Sequence, residues 1–131
     1  MKIAIVTNDG KIVHSHFGMA KNYIVFEVEN GIKGASEMRP KIWHQHHPEG
    51  VRGHEGGNGM HYGKGGHFQQ EDMLAAIRDC QVLVARGMGR PMYDGIISRG
   101  IRPYLTDLVY VEDVVNAYID GKLVNHIEKL D

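Results

Sequence analysis

The sequence holds one cysteine, Cys80. A lone thiol excludes an intramolecular disulfide and suits a reducing cytoplasm. It also excludes an iron–sulfur cluster held by four cysteines of one chain. Charge of one sign is missing too. The net charge of −1 gives no electrostatic basis for binding nucleic acid or an anionic membrane. No apolar run reaches about 18 residues, so nothing reads as a bilayer span. The first residues, Met-Lys-Ile-Ala-Ile-Val-Thr, lack the layout of a signal peptide and read as a strand. What is left, 131 residues with 42% apolar and 24% charged, is the profile of one globular, cytoplasmic domain with one core over 1–131.

What the chain has in excess is histidine and glycine in one place. Residues 44–67 carry six of the nine histidines and eight of the seventeen glycines. Only Val51, Met60 and Tyr62 are apolar there, so the stretch reads as an inserted loop that forms no regular element. A connection this long inside a small domain is functional or disordered. Imidazole is the commonest metal ligand, and glycine lets several rings converge at low steric cost. His44, His46, His47, His54, His61 and His67 are therefore metal-ligand candidates on a flap. The spacings match no standard zinc finger, and imidazole-rich sites suit copper, nickel, zinc or iron alike.

The rest of the chain reads as an ordinary α/β scaffold. Residues 2–7 are a β-branched, doubly buried strand, broken by Asn8-Asp9-Gly10. Residues 11–21 form a loop with a helical turn near its end. Residues 22–29 and about 32–38 are predicted strands joined by Asn30-Gly31, the strongest short hairpin signal. A helix is predicted over about 68–79, with Met73, Leu74 and Ile77 on one side. A short strand follows at 81–85, then a helix over about 91–99 with Pro91 at its start and Gly100 at its end. Residues 101–106 are a fifth strand, placed at an edge by Pro103. The last helix, about 111–120, shows the stripe Val111, Val114, Val115, Tyr118, Ile119 and stops at Gly121. Residues 122–131 are a short extra strand or partly disordered. The order β β β, loop, α β α β α implies a mixed sheet with helices on its faces.

In open α/β sheets ligands bind beyond the carboxyl ends of the strands. Two glycine-punctuated turns fall there: Asn8-Asp9-Gly10 with His14-Ser15-His16-Phe17-Gly18, and Arg86-Gly87-Met88-Gly89-Arg90. If strands 1 and 4 are adjacent and parallel, the turns share a crevice. The second turn opens a helix, whose free N–H groups and dipole favour an anion. Its two arginines add forked donors. A phosphate, a carboxylate or an anionic metal–sulfur cluster would suit it. The alternative is a tight strand-to-helix turn with solvated arginines. It is neither a Walker A loop nor a dinucleotide fingerprint. His14 and His16, two apart, either share one ion or pack and cap a short helix with Phe17. Asp9, Asp107, Glu112 and Asp113 are the spare carboxylates, and Asp9 reads as a turn former. Cys80 reads as a buried inert thiol, and Trp43 and the seven methionines as packing residues.

At these same residues the chain resembles the dinitrogenase iron–molybdenum cofactor biosynthesis family. The resemblance rests on Met1–Gly10, on Ser15-His16-Phe17-Gly18-Met19-Ala20, on Val84-Ala85-Arg86-Gly87-Met88-Gly89-Arg90, and on Ala117-Tyr118 with Gly121-Lys122-Leu123. The family includes nitrogenase-cofactor carriers of the NifX type, the C-terminal part of NifB-type proteins, and small stand-alone proteins such as the molybdenum–copper orange proteins. The loop 44–67 is the main departure. The resemblance implies a ribonuclease H-like three-layer α/β/α fold whose five-stranded mixed sheet has order 3-2-1-4-5 with strand 2 antiparallel. It implies non-catalytic binding or carriage of a metal–sulfur cofactor, of Fe/Mo or Mo/Cu type, with a cofactor-donor or acceptor protein as partner. By motif match His16 and the Arg86–Arg90 turn carry over, and Asn8, Phe17 and Gly18 join them as cofactor-binding candidates. Two other readings stand beside it: a divalent-metal store or sensor built on the loop histidines, and a ribonuclease H-like nuclease or phosphotransferase using Asp9.

Overall fold

The computed structural model describes residues 1–41 and 72–130. By its contacts the backbone divides into two compact units, Met1–Pro40 with Asp79–Asp131, and Lys41–Arg78.

The first unit is built on a five-stranded sheet. Its strands are β1 (Lys2–Thr7), β2 (Asn22–Glu29), β3 (Ile32–Pro40), β4 (Val82–Ala85) and β5 (Arg102–Leu105), in the order β3-β2-β1-β4-β5. β1 pairs antiparallel with β2 and parallel with β4, and β4 pairs parallel with β5. The sheet is therefore mixed, with β2 antiparallel to β1 and the order the resemblance implies. Two helices complete the unit, α1 (Arg90–Ser98) and α2 (Val111–Ile119).

Local chemistry accounts for these elements. The β2–β3 hairpin turns at Asn30 and Gly31, both at positive φ (53° and 76°), the backbone that a two-residue turn with right-handed strand twist needs. β1 and β4 are buried along almost their whole length, which is why they read as unbroken apolar runs. β3 is the opposite: mostly exposed, on the sheet edge, with Lys33, Glu37, Arg39 and Pro40 and a register shift opposite Phe26–Val28. Charges, proline and a bulge on an edge discourage pairing with another sheet. α2 lays Val111, Val114 and Val115 on the sheet face formed by Ile3, Ile5, Ile24, Phe26, Val82 and Val84. Burying each such valine contributes about 1.5–3 kcal/mol before entropy is charged against it. β5 is an edge strand, which explains how Pro103 is accommodated: its missing N–H breaks no second ladder.

Three expectations change. The predicted 68–79 helix is helical at 72–75 and a turn at 76–79, and its first residues lie outside the described ones. In this second unit Met73, Leu74 and Ile77 are buried, the three residues whose spacing marked the apolar side. The tail adopts a 3-10 turn at Ile127–Lys129 in place of an extra strand. Not every methionine packs, either: Met88 is buried, whereas Met19 is 68% exposed on the turn after β1.

Candidate functional site

The carboxyl ends of β1, β4 and β5 lie side by side because these three strands are parallel neighbours. Three loops leave that edge: residues 8–21, 86–89 and 106–110.

The loop after β1 is tied down from its first residue. Thr7 Oγ1 donates to the Ile12 carbonyl at 2.6 Å and accepts from the Gly10 N–H. Asp9 Oδ1 accepts from the amides of Lys11 and Ile12 at 2.8 and 3.0 Å. Those backbone donors, Ile12 before Lys11, hold the Asp9 carboxyl below its ordinary pKa. Asp9 thus shapes the turn through Oδ1. Asn8 works the same way, since its amide oxygen accepts from Lys21 N at 2.8 Å and so closes the base of the loop.

Beyond this turn the chain folds back. Val13 bridges Thr7 and its amide bonds the Val109 carbonyl, while His14 N–H bonds the Val6 carbonyl. His14 and His16 then interact in a way the sequence did not suggest. The His16 amide donates to His14 Nδ1 at 3.0 Å, so the half-buried His14 ring keeps only Nε2 for any other partner. His16 itself is exposed, in extended backbone (φ −133°, ψ 126°), at the N-cap of the Phe17–Met19 3-10 turn without a side-chain capping bond. Phe17 is 1% exposed with its ring 6.2 Å from that of Tyr23. It anchors the loop in the core and contributes backbone, not ring, to the surface.

The loop after β4 meets this one directly. The Phe17 amide donates to the Gly87 carbonyl at 2.9 Å. A Cβ built on Gly87 would stand 2.8 Å from the Ser15 carbonyl oxygen, so only glycine allows the two backbones to come this close. Met88 is buried and bridges Leu130. Gly89 is the N-cap of α1 and offers no side-chain acceptor, with Pro91 in the first turn and no acid there. The amides of that turn therefore present positive character outward. Gly18 is open, with no atom within 4 Å of a Cβ placed there.

One atom at this junction is out of balance. Arg86 Nε is buried and has no hydrogen-bond partner among the described residues. A buried donor left unmade costs about 1–3 kcal/mol, more for a charged group. Such an atom in a folded protein calls for a reason, and a missing ligand is one. Arg90, at the start of α1, is exposed.

The third loop holds Asp107, one of the spare carboxylates, and the tail adds partners for it that the sequence did not flag. Asp107, just after β5, faces His126 Nε2 at 3.3 Å through one oxygen and Lys129 Nζ at 3.1 Å through the other. Lys129 first, then His126 and Arg86, hold its carboxyl below the ordinary range. His126 Nδ1 faces Glu128 at 2.8 Å. Asn125 fixes the approach, accepting from the Leu105 amide and donating to Tyr93 Oη. Nothing in the periodicity of 122–130 signals this docking, because its contacts are single polar pairs and not a stripe.

Of the predicted site residues, the structure joins Phe17, Gly87 and their neighbours Ser15, His16 and Arg86 on one edge. His44, His46, His47, His54, His61 and His67 lie outside the described residues. Among the described residues no three of histidine, cysteine, aspartate and glutamate are placed to hold a metal ion, and no helix is long and apolar enough to cross a membrane. What the edge offers is an arginine with an unmade hydrogen bond, an exposed imidazole and a glycine-lined meeting of two backbones. That donor set suits a preformed anion better than a bare cation.

Among solved structures the chain is similar to the protein PH0822, at 22% identity over 94% of each chain with a TM-score of 0.65. It is similar to the apo form of the orange protein from Desulfovibrio gigas, at 18% identity over 93% of this chain and 89% of that one, with a TM-score of 0.63. It is also similar to a Thermotoga protein described provisionally as NifB, at 16% identity over 95% and 91%, with a TM-score of 0.59. At these identities the likeness speaks for the fold. No curated protein matches. The family model described as dinitrogenase iron-molybdenum cofactor matches residues 1–121. A match over that span takes in every strand and both helices of the sheet unit, and by it the chain belongs to the dinitrogenase iron–molybdenum cofactor family.

Proposed function

We propose that the protein binds or carries an anionic metal–sulfur cofactor, of Fe/Mo or Mo/Cu type, as a non-catalytic accessory of cofactor assembly. The seat is the junction of the His14–Gly18 and Arg86–Arg90 turns. The buried Nε of Arg86, without a hydrogen-bond partner among the described residues, carries this reading, since a sulfide or oxide of the cofactor would supply the missing acceptor. Membership of the family supports the role. The sheet order supports the ribonuclease H-like reading of the fold.

Each residue has a task in this reading. Arg86 and Arg90 neutralise the guest, the α1 amides add donors, and His16 offers a ring nitrogen to a metal. Phe17 and Met88 stay in the core and fix the two turns. With Cys80 buried, sulfur comes with the cofactor. We further take the loop 44–67 to be an insertion into this single cofactor-binding domain, its histidines adding metal ligands. A donor or acceptor protein is the partner this role requires, in the cytoplasm.

The test is anaerobic purification from the native host with elemental analysis. Molybdenum, iron or copper should accompany charge-transfer absorbance, and His16→Ala should lower occupancy. Deleting residues 44–67 sorts the sites: retained cluster places the seat on the sheet edge, and loss of all metal returns the loop to a store. Protein that takes up no cluster under any condition overturns the reading.

A further inference from the structure

The parallel register of β4 and β5 pairs Ala85 with Leu105, and the Thr106 amide bonds the Ala85 carbonyl at 2.9 Å. In that register Thr106 stands beside Arg86, and Asp107 is the residue after it. The Arg86 charge reaches the Asp107 carboxylate and helps to hold it ionised, and a carboxylate is the natural ion-pair partner of a guanidinium. Yet Arg86 Nε has no partner among the described residues, and Asp107 is engaged elsewhere. Its Oδ1 faces Lys129 and its Oδ2 faces His126.

Both of those partners belong to the tail, past residue 121, where the family match ends. The tail is held by polar bonds that bypass Asp107. The His126 amide bonds the Leu105 carbonyl at 2.8 Å, Asn125 bonds the Leu105 amide and Tyr93, and Leu130 bridges Met88 on the arginine turn itself.

We infer that the C-terminal segment 125–130 keeps Arg86 available for an anion by occupying both oxygens of Asp107. Lys129 and His126 are positioning residues: they act on the guest through Asp107 and Arg86. Their electrostatic bias is of the same kind, since Lys129 and His126 contribute more than Arg86 to holding the Asp107 carboxyl ionised. Without Lys129 and His126, Asp107 turns to Arg86 and closes the seat by internal neutralisation. The inference rests on the anion-binding reading for its purpose, but not for its test.

The test uses the full chain without cofactor, ¹⁵N-labelled, and reads the Arg86 Nε–H resonance. In the double variant His126→Ala, Lys129→Ala that resonance should shift and its exchange with water should slow about tenfold, as one new hydrogen bond of about 1.4 kcal/mol would produce. Adding Asp107→Asn should return both to the wild-type values. A merely structural tail would not be rescued by Asp107→Asn. In parallel, titration with tetrathiomolybdate should bind about tenfold more weakly in the double variant and recover in the triple one. The milder pair His126→Gln, Lys129→Gln, read against the β4 and β5 amides, replaces the alanine variant if that one unfolds. An Arg86 resonance unchanged in the double variant, or not restored in the triple, overturns the inference. Failure of the wild type to bind tetrathiomolybdate counts against the proposed function, and the resonance still decides this one.

Discussion

The Phe17 amide and the Gly87 carbonyl, 70 positions apart in sequence, share a 2.9 Å hydrogen bond. That bond stitches the turn after β1 to the turn after β4. It places His16 and Arg86, the flanking residues, on one edge of the sheet. A Cβ at Gly87 would meet Ser15 carbonyl oxygen at 2.8 Å, so the contact depends on a residue with no side chain.

Gly87→Ala should therefore loosen the junction. The backbone oxygen cannot yield as a flexible side chain would, and overpacking of this kind costs about 1–3 kcal/mol. Gly89→Ala is the control, because its Cβ would make only an ordinary 3.6 Å contact with Pro91. A lower urea midpoint is expected for Gly87→Ala, with Gly89→Ala within about 1 kcal/mol of wild type. Equal midpoints for wild type and Gly87→Ala would refute the packing argument.

The far end of the sheet carries an ion network with a defined pH signature. Asp79 accepts from Arg39 at 2.7 and 3.1 Å and from Lys2 at 3.0 Å. Arg39 first, then Lys2, hold its carboxyl well below the usual carboxylate range. The unfolded chain protonates the same group near pH 4. Between that value and the lower native one the unfolded state binds more protons, so stability falls as pH falls. The side chain is half-exposed, which keeps the contribution small. Asp79→Asn should be less stable than wild type at pH 7, and the gap should close below about pH 4. Urea midpoints across pH 2–7 check this, and a gap independent of pH contradicts it.

Cys80 should be silent in the folded protein. Burial, then the negative charge of Asp79, push its thiol up to about 12. Thiolate is the reactive form, so iodoacetamide at pH 8 should label the native chain slowly and the urea-unfolded chain to completion. Rapid native labelling would show an accessible thiol and reopen cysteine as a metal ligand.

How much of this was readable beforehand depends on the kind of signal. The five strands and two helices of the sheet unit follow from local patterns: unbroken apolar runs for β1 and β4, Asn30-Gly31 for the hairpin, Pro91 and Gly100 around α1, the valine stripe of α2. Sheet order came from the resemblance, since no local pattern states which strands are neighbours. The two turns were legible as glycine-punctuated ends of parallel strands. Their fusion through Phe17 and Gly87 was not, because a backbone hydrogen bond leaves no residue signature. The engagement of Asp107 by His126 and Lys129 was invisible for a related reason. It is made by two long side chains of a segment without periodicity, and only folding brings them to the end of β5. The bond from His16 N–H to His14 Nδ1 likewise depends on local backbone angles that spacing does not fix.

The most direct measurement of the central claim is backbone amide mapping with an anionic metal–sulfur probe. Tetrathiomolybdate titrated into the ¹⁵N-labelled protein should shift the amides of residues 14–18 and 86–90 together, along one binding isotherm. Arg86→Gln should weaken that isotherm about tenfold or more, in line with loss of a charge-assisted hydrogen bond. Shifts confined to other parts of the chain, or an isotherm unchanged by Arg86→Gln, would contradict the account.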